Sequence, residues 1–342
     1  MQSYVGATLD EDTEDLSQMQ ESVLEHAESS RGAAERKLTV RLVVIDSHEV
    51  TKELAMPLEP SAITDAVFHA DVLDALNTFP DESVDFIVTS PPYADNRKKT
   101  YKGVPITEYV DWFVPVAAEL KRVLKEDGSF ILNIKERAVD GQRQTYVLEL
   151  ILALKEQGWL WIDEYLWCKK NCYPGKWPNR FRDSWERCLH FAKAPGFHMY
   201  QDAVMVPVGG WADTRLKSLS ETDKRRDESK VGSGFGKNVS NWVDREMVYP
   251  SNVLHLATES ANRGHSAAFP IALPEWFIKL FTEPDDLVLD PFLGSGTSAL
   301  AAIELGRHFV GIELQPEYYK LAQAAITERL AQKGRAAHAN NG

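Results

Sequence analysis

Two short stretches of this chain hold residue types whose spacing can do chemistry. The first is Ser90-Pro-Pro-Tyr93. Two consecutive prolines fix φ, withhold two N–H donors and keep the backbone extended, so the carbonyls of the segment stand as fixed acceptors beside the Ser90 hydroxyl. A planar amino group has two N–H donors. Ser90 and the carbonyl of Pro91 are suited to grip it, with the Tyr93 ring stacked on the attached heterocycle. A rigid strand-to-loop corner would use the same four residues without chemistry, and a proline-type peptide ligand would space its tyrosine one residue further away. The second stretch is Asp290-Pro-Phe-Leu-Gly-Ser-Gly-Thr297. Gly294 and Gly296 allow a tight turn and a close approach to a ligand. Glu313, roughly 20 residues past the loop, can accept hydrogen bonds from two ribose hydroxyls.

A nucleoside cofactor follows from that pairing, and the loop narrows its class. The loop is neither a G-x-G-x-x-G nor a Walker sequence, since no lysine follows the last glycine. Its leading acid, Asp290, would repel a pyrophosphate but attract the cationic amino-acid and sulfonium end of S-adenosylmethionine.

The elements that position these loops can be read from periodicity. Leu287-Val-Leu-Asp290 is a short apolar strand, residues 298–306 form a helix stopped by Gly306, and His308-Phe-Val-Gly-Ile-Glu313 is a second strand. Upstream, Ala66-Val-Phe-His-Ala-Asp71 is a strand ending in an acid, and residues 83–89 form a buried strand running into Ser90. Residues 106–124 have a helical period that closes at Asp127-Gly128. A strand follows at 129–134, a helix at 146–157, strands at 160–167 and 186–192, and a helix at 273–281. A further strand pattern covers residues 37–45. Alternating strands and helices predict a parallel sheet covered on both faces, with ligands at the carboxyl ends of the strands, where both special loops fall.

Composition sets the class. With 342 residues and 44% hydrophobic content the chain can bury a full core, and no run approaches the roughly 20 apolar residues of a membrane span. The segment Met1-Gln-Ser-Tyr4 lacks a signal-peptide pattern, and three cysteines cannot form a disulfide framework, so a cytoplasmic location is expected. Cys168, Cys172, Cys188 and His190 match no familiar zinc spacing and read as buried side chains, so no metal is expected.

The net charge of −13 is unevenly spread: residues 1–36 carry nine acids against Arg31 and Arg36 and read as a disordered tail. Positive charge gathers at Arg97, Lys98 and Lys99, at Arg180 and Arg182, and at Arg215, Lys217, Arg225, Arg226 and Lys237. Local patches of this kind contact phosphates, whatever the global sum. The stretch 215–240 has no stable period and reads as a loop that orders on a partner.

Taken together, these residues resemble the amino-methyltransferases of DNA bases, in the permuted class whose catalytic tetrapeptide precedes the cofactor loop. The resemblance spans roughly residues 66–325. It implies an α/β, Rossmann-like methyltransferase fold dependent on S-adenosylmethionine, with a mostly parallel central sheet, helices on both faces and a target-recognition insertion. It implies a tail at 1–36, a catalytic half at 37–194, a recognition region at 195–260, a cofactor half at 261–330 and a flexible end at 331–342. The catalytic set is Ser90, Pro91, Pro92 and Tyr93. The cofactor set is Asp290, Pro291, Phe292, Gly294, Ser295, Gly296, Thr297, Glu313, Phe269, Pro270 and Asp71. The basic residues named above fall to DNA. Serine at the head of the tetrapeptide resembles the N4-cytosine enzymes of restriction-modification systems, whereas aspartate or asparagine is usual for adenine N6. Double-stranded DNA is the implied partner, with a homodimer and a cognate restriction endonuclease as further expectations.

The implied mechanism is direct attack by the exocyclic amine of a base flipped out of the duplex. Carbon-5 methylation would need a cysteine nucleophile, normally after a proline, and no cysteine here follows one. Methylation of RNA or of protein glutamine, and a DNA-binding regulator without catalysis, are the competing functions.

Overall fold

The computed structural model describes residues 41–44, 57–94, 103–172, 175, 178–208, 220–221, 246–258 and 269–340, all within the unit Thr39–Gly342. The strands are β1 (Arg41–Val44), β2 (Ala66–His69), β3 (Val84–Thr89), β4 (Leu124–Ile134), β5 (Ala138–Val139), β6 (Gln142–Arg143), β7 (Leu160–Lys169), β8 (Trp185–Ala192), β9 (Val206–Pro207), β10 (Met247–Val248), β11 (Val253–Leu256), β12 (Leu287–Asp290) and β13 (His308–Glu313). The helices are α1 (Pro60–Ile63), α2 (Val72–Leu76), α3 (Tyr109–Val123), α4 (Tyr146–Glu156), α5 (Ala272–Phe281), α6 (Thr297–Glu304) and α7 (Pro316–Asn340).

Nine strands form one sheet in the order β1-β2-β13-β12-β3-β4-β8-β7-β11. Only β8 runs against its neighbours β4 and β7; the other pairings are parallel. The central strands are apolar runs because both of their faces are covered, and the period of two sends alternate residues to opposite cores. Ile87 of β3, Phe68 of β2, Leu289 of β12 and Val310 of β13 pack with Phe113 of α3 and Leu150 of α4. Their neighbours Phe86, Val67, Val288 and Phe309 pack on the other face with Phe277 of α5, Ala302 of α6 and Ile326 of α7.

Two departures from the sequence reading follow from pairing. Strand β4 begins at Leu124, before Asp127-Gly128, because Leu124 pairs with Val84 ahead of a register shift. Residues 253–256, expected inside the recognition region, join the main sheet as β11 beside β7. The acidic tail and, apart from residues 220–221, the stretch 215–240 lie outside the described residues.

The chain leaves β3 toward β4 on one side of the sheet and leaves β12 toward β13 on the other. The boundary between β3 and β12 is therefore the topological switch point, where an open α/β sheet leaves a crevice beyond its carboxyl ends.

Candidate active site

A cavity of about 780 Å³ opens at that switch point. Residues after β2, β12 and β13 line one side, and residues from the ends of β4, β7 and β8 line the other. Strand β8 contributes from its beginning because it is reversed. Ser90, Pro91, Pro92, Tyr93, Asp290, Pro291, Phe292, Gly294, Ser295, Thr297, Glu313, Phe269, Asp71 and Arg180 all line this cavity. Gly296, Pro270 and Arg182 do not. Arg97, Lys98, Lys99, Arg215, Lys217, Arg225, Arg226 and Lys237 lie outside the described residues.

The glycine loop is held from within. Asp290 is 3% exposed. Its Oδ1 accepts from the Thr89 hydroxyl at 2.6 Å and from the Phe292 amide at 3.0 Å, and its Oδ2 accepts from the Ser298 hydroxyl at 2.5 Å. Burial pushes its carboxyl above the ordinary range, and those three donors work against the shift. The sequence reading gave this acid to a cationic ligand; the geometry makes it the staple that ties the loop to β3 and α6. Gly296 has a comparable internal role. It takes φ 91° at the start of α6, and a Cβ there would lie 3.2 Å from the backbone of Ala322 in α7. Its missing side chain admits the backbone of α7. Asp71 caps α2 by accepting from the Leu73 amide at 2.9 Å.

Glu313 ends β13 and is 9% exposed. One oxygen accepts from the Gly294 amide at 2.8 Å and the other from the Gln315 amide at 2.7 Å, which leaves further lone pairs on a carboxylate that lines the cavity. Burial raises its carboxyl, opposed by the Gln315 and Gly294 amides. Phe292 packs beneath the loop against Trp112 and Phe113 of α3, with ring centroids 5.6 and 6.4 Å away. Among the lining residues that follow β2, β12 and β13 there is no lysine or arginine. That side suits a nucleoside with a cationic end and is poor for an anionic dinucleotide.

On the other side of β3, the tetrapeptide is fixed by partners that sequence reasoning missed. The Tyr109 hydroxyl of α3 donates to the Pro92 carbonyl at 3.0 Å. The Tyr93 hydroxyl donates to Glu186 Oε2 at 2.7 Å, and Lys169 Nζ holds Glu186 Oε1 at 2.5 Å. Ser90 donates to the Tyr93 oxygen at 3.3 Å, and Asn133 Oδ1 lies 3.4 Å from the same hydroxyl. Burial, then the nearby charge of Glu186, holds the Tyr93 phenol well above its usual range, so it stays a neutral donor. Because an ionised carboxylate only accepts, the chain of protons runs from Ser90 to Tyr93 to Glu186. The lone pairs of Ser90 are thereby left as acceptors.

Arg180 is bound to Asp183 at 3.0 Å, and Lys135 and Arg143 reach the same carboxylate at 3.4 and 2.7 Å. Cys188 is buried, Cys168 and Cys172 are partly buried, and Cys172 donates to the Asp183 carbonyl.

The comparisons with known proteins agree with this arrangement. A family model described as DNA methylase matches residues 84–324. The chain is 32% identical over 274 residues to the Type II methyltransferase M.PvuII of Proteus hauseri, covering 74% of this chain and 81% of that one. It is 30% identical over 275 residues to the DNA adenine methyltransferase YhdJ of Escherichia coli K12, covering 75% of this chain and 80% of that one. The solved PvuII DNA methyltransferase, titled cytosine-N4-specific, superposes with a TM-score of 0.57 at 26% identity over 78% of this chain and 91% of that chain. A match that runs from β3 into α7 and takes in both strand-end loops makes this chain a member of the N6/N4 DNA methylase family.

Proposed function

We propose that this DNA methylase transfers a methyl group from S-adenosylmethionine to the exocyclic N4 of a cytosine turned out of duplex DNA. The observation that carries the reading is the meeting of two groups in one cavity: the acceptors of Ser90-Pro-Pro-Tyr93, and the lysine- and arginine-free loop closed by Glu313. Phe292, Gly294, Ser295, Thr297 and Glu313 would hold the cofactor, with Phe269 and Asp71 at its borders. When bound, S-adenosylmethionine supplies a methyl group on a positively charged sulfur.

The protein's own task is to prepare the amine. The lone pair of an exocyclic amine is delocalised into its ring, and acceptors that take both N–H groups favour a pyramidal nitrogen with that lone pair available. Ser90 and the carbonyl of Pro91 are those acceptors. The chain through Tyr93 to Glu186 keeps the serine proton turned away from the amine. The rigid diproline holds both acceptors before the base arrives, so little reorganisation remains for the reaction itself. We assign target recognition to residues 195–260 and phosphate contact to the basic residues within it.

Support for cytosine comes from Ser90 at the head of the tetrapeptide and from the likeness to a methyltransferase titled cytosine-N4-specific. A second reading, adenine N6, is favoured by the comparable identity to an adenine methyltransferase. Methylating plasmid DNA, digesting it to nucleosides and weighing the modified one separates the two. N4-methylcytosine is expected, and N6-methyladenine would transfer the assignment to adenine.

A further inference from the structure

The loop between β7 and β8 presents an aromatic side chain that the reaction above does not use. Phe181 is 95% exposed, whereas the next most exposed large apolar side chain among the described residues, Leu152, is at 61%. Both sequence neighbours of Phe181 are held. Arg180, on one side, is bound to Asp183 at 3.0 Å, and Arg182, on the other, donates to the Cys172 carbonyl at 3.3 Å. The thiol of Cys172 closes the loop by donating to the Asp183 carbonyl at 3.2 Å. Both neighbours of the phenylalanine are turned back onto the protein while its ring projects into water, forgoing the gain that burial would bring.

The surroundings say what kind of partner covers it. Arg180 and Asp183 line the catalytic cavity, so Phe181 stands beside its mouth. Three cations, Lys135, Arg143 and Arg180, surround the carboxylate of Asp183, and Arg143 also reaches Glu136 at 3.9 Å, three cations against two acids. The local excess is positive although the chain as a whole is acidic, and that excess suits a phosphate backbone.

We propose that Phe181 is a positioning residue that enters the DNA stack beside the flipped base and fills the gap it leaves. The proposal rests on the reading that the enzyme acts on a base extruded from a duplex. An apolar wedge between base steps offsets lost stacking and keeps the extruded base from returning, as the chemistry of a flat ring among base pairs allows.

The test uses the full-length enzyme and duplexes containing the site mapped from its own methylation of plasmid DNA. Phe181→Ala should lower methylation and the 2-aminopurine flipping signal on a paired duplex by roughly tenfold, the scale of one lost base–aromatic stack. Phe181→Trp should retain both. On a duplex whose target faces a mismatch the Phe181→Ala defect should shrink to within about twofold, because a base already unpaired needs no wedge. Unchanged S-adenosylmethionine affinity by calorimetry reports that the variant is folded. Equal rates for Phe181→Ala and wild type on the paired duplex overturn the wedge alone, as does an equal defect on paired and mismatched DNA. If the wild-type enzyme methylates no duplex, the parent reading fails and the wedge with it.

Discussion

Thr89 at the end of β3 donates its hydroxyl to Asp290 at the end of β12 across 2.6 Å, joining residues 201 positions apart. The tetrapeptide follows the first residue and the glycine loop follows the second, so this bond ties the proposed amine-gripping acceptors to the proposed cofactor loop, beside the backbone pairing of β3 and β12. Thr89→Val keeps the shape and removes the donor, leaving a buried carboxylate oxygen short of a partner. A loss of about 1–3 kcal/mol in urea unfolding is expected, together with weaker S-adenosylmethionine binding in calorimetry. Wild-type values in both would mean that the backbone alone aligns the two loops.

Ser90 and Tyr93 should separate by kinetics. Ser90→Ala is expected to cut turnover by about 100-fold or more, the scale of a lost transition-state contact, with cofactor affinity unchanged. Tyr93→Phe keeps the ring and deletes the link to Glu186, so turnover should fall while 2-aminopurine still reports a retained flipped base. Tyr93→Ala should lose both. A Ser90→Ala enzyme working at the wild-type rate would remove the serine from the chemistry.

Glu313→Ala should weaken S-adenosylmethionine binding by on the order of 1–3 kcal/mol, since it deletes both the proposed ribose acceptor and the partner of the Gly294 amide. Calorimetry measures this directly. Equal affinity would take Glu313 out of the cofactor site.

His190 predicts an acid limb of the stability curve. Its ring is fully buried, with Nε2 3.0 Å from the Ser129 hydroxyl, and burial pushes its imidazole down to about 3. The unfolded histidine takes up a proton below about pH 6.5 while the folded one stays neutral, so the unfolded state binds more protons across that window. Stability is therefore full above about 6.5 and falls as the pH drops toward 3, by at most about 1.4 kcal/mol per pH unit from this group. Urea midpoints between pH 4 and 7 should show a shallower slope in His190→Gln. Parallel curves would assign the acid limb to other groups.

Neutralising Arg225 and Arg226 should weaken DNA binding and reduce the slope of log K against log salt by roughly one per lost phosphate contact. An unchanged slope would make the stretch around them an ordinary solvated loop.

Both loops were legible in the sequence because their chemistry is local. Two prolines constrain Ser90-Pro-Pro-Tyr93 wherever it sits, and the strands that flank Gly294 are continuous apolar runs. Glu186 and Lys169 were not legible as part of the site. Their place depends on β8 being reversed between β4 and β7, which is a property of register and pairing that no window of residues contains. The same holds for the partners of Asp290: its residue type suggested a ligand contact, yet Thr89 and Ser298, which bind its oxygens, come from other elements that no local pattern links to it.

Strands β12 and β13 are inserted between β2 and β3, although in the chain they follow both by about 200 residues. Until they are synthesised, β2 and β3 face an empty slot with unpaired edges, and these are the edges that nascent chains must keep from one another. The centre of the sheet, and the crevice above it, thus closes only late in translation. A ribosome-bound chain arrested before residue 287 would hold the tetrapeptide but no slot-filling strands, and a product ended there would lack the glycine loop and Glu313.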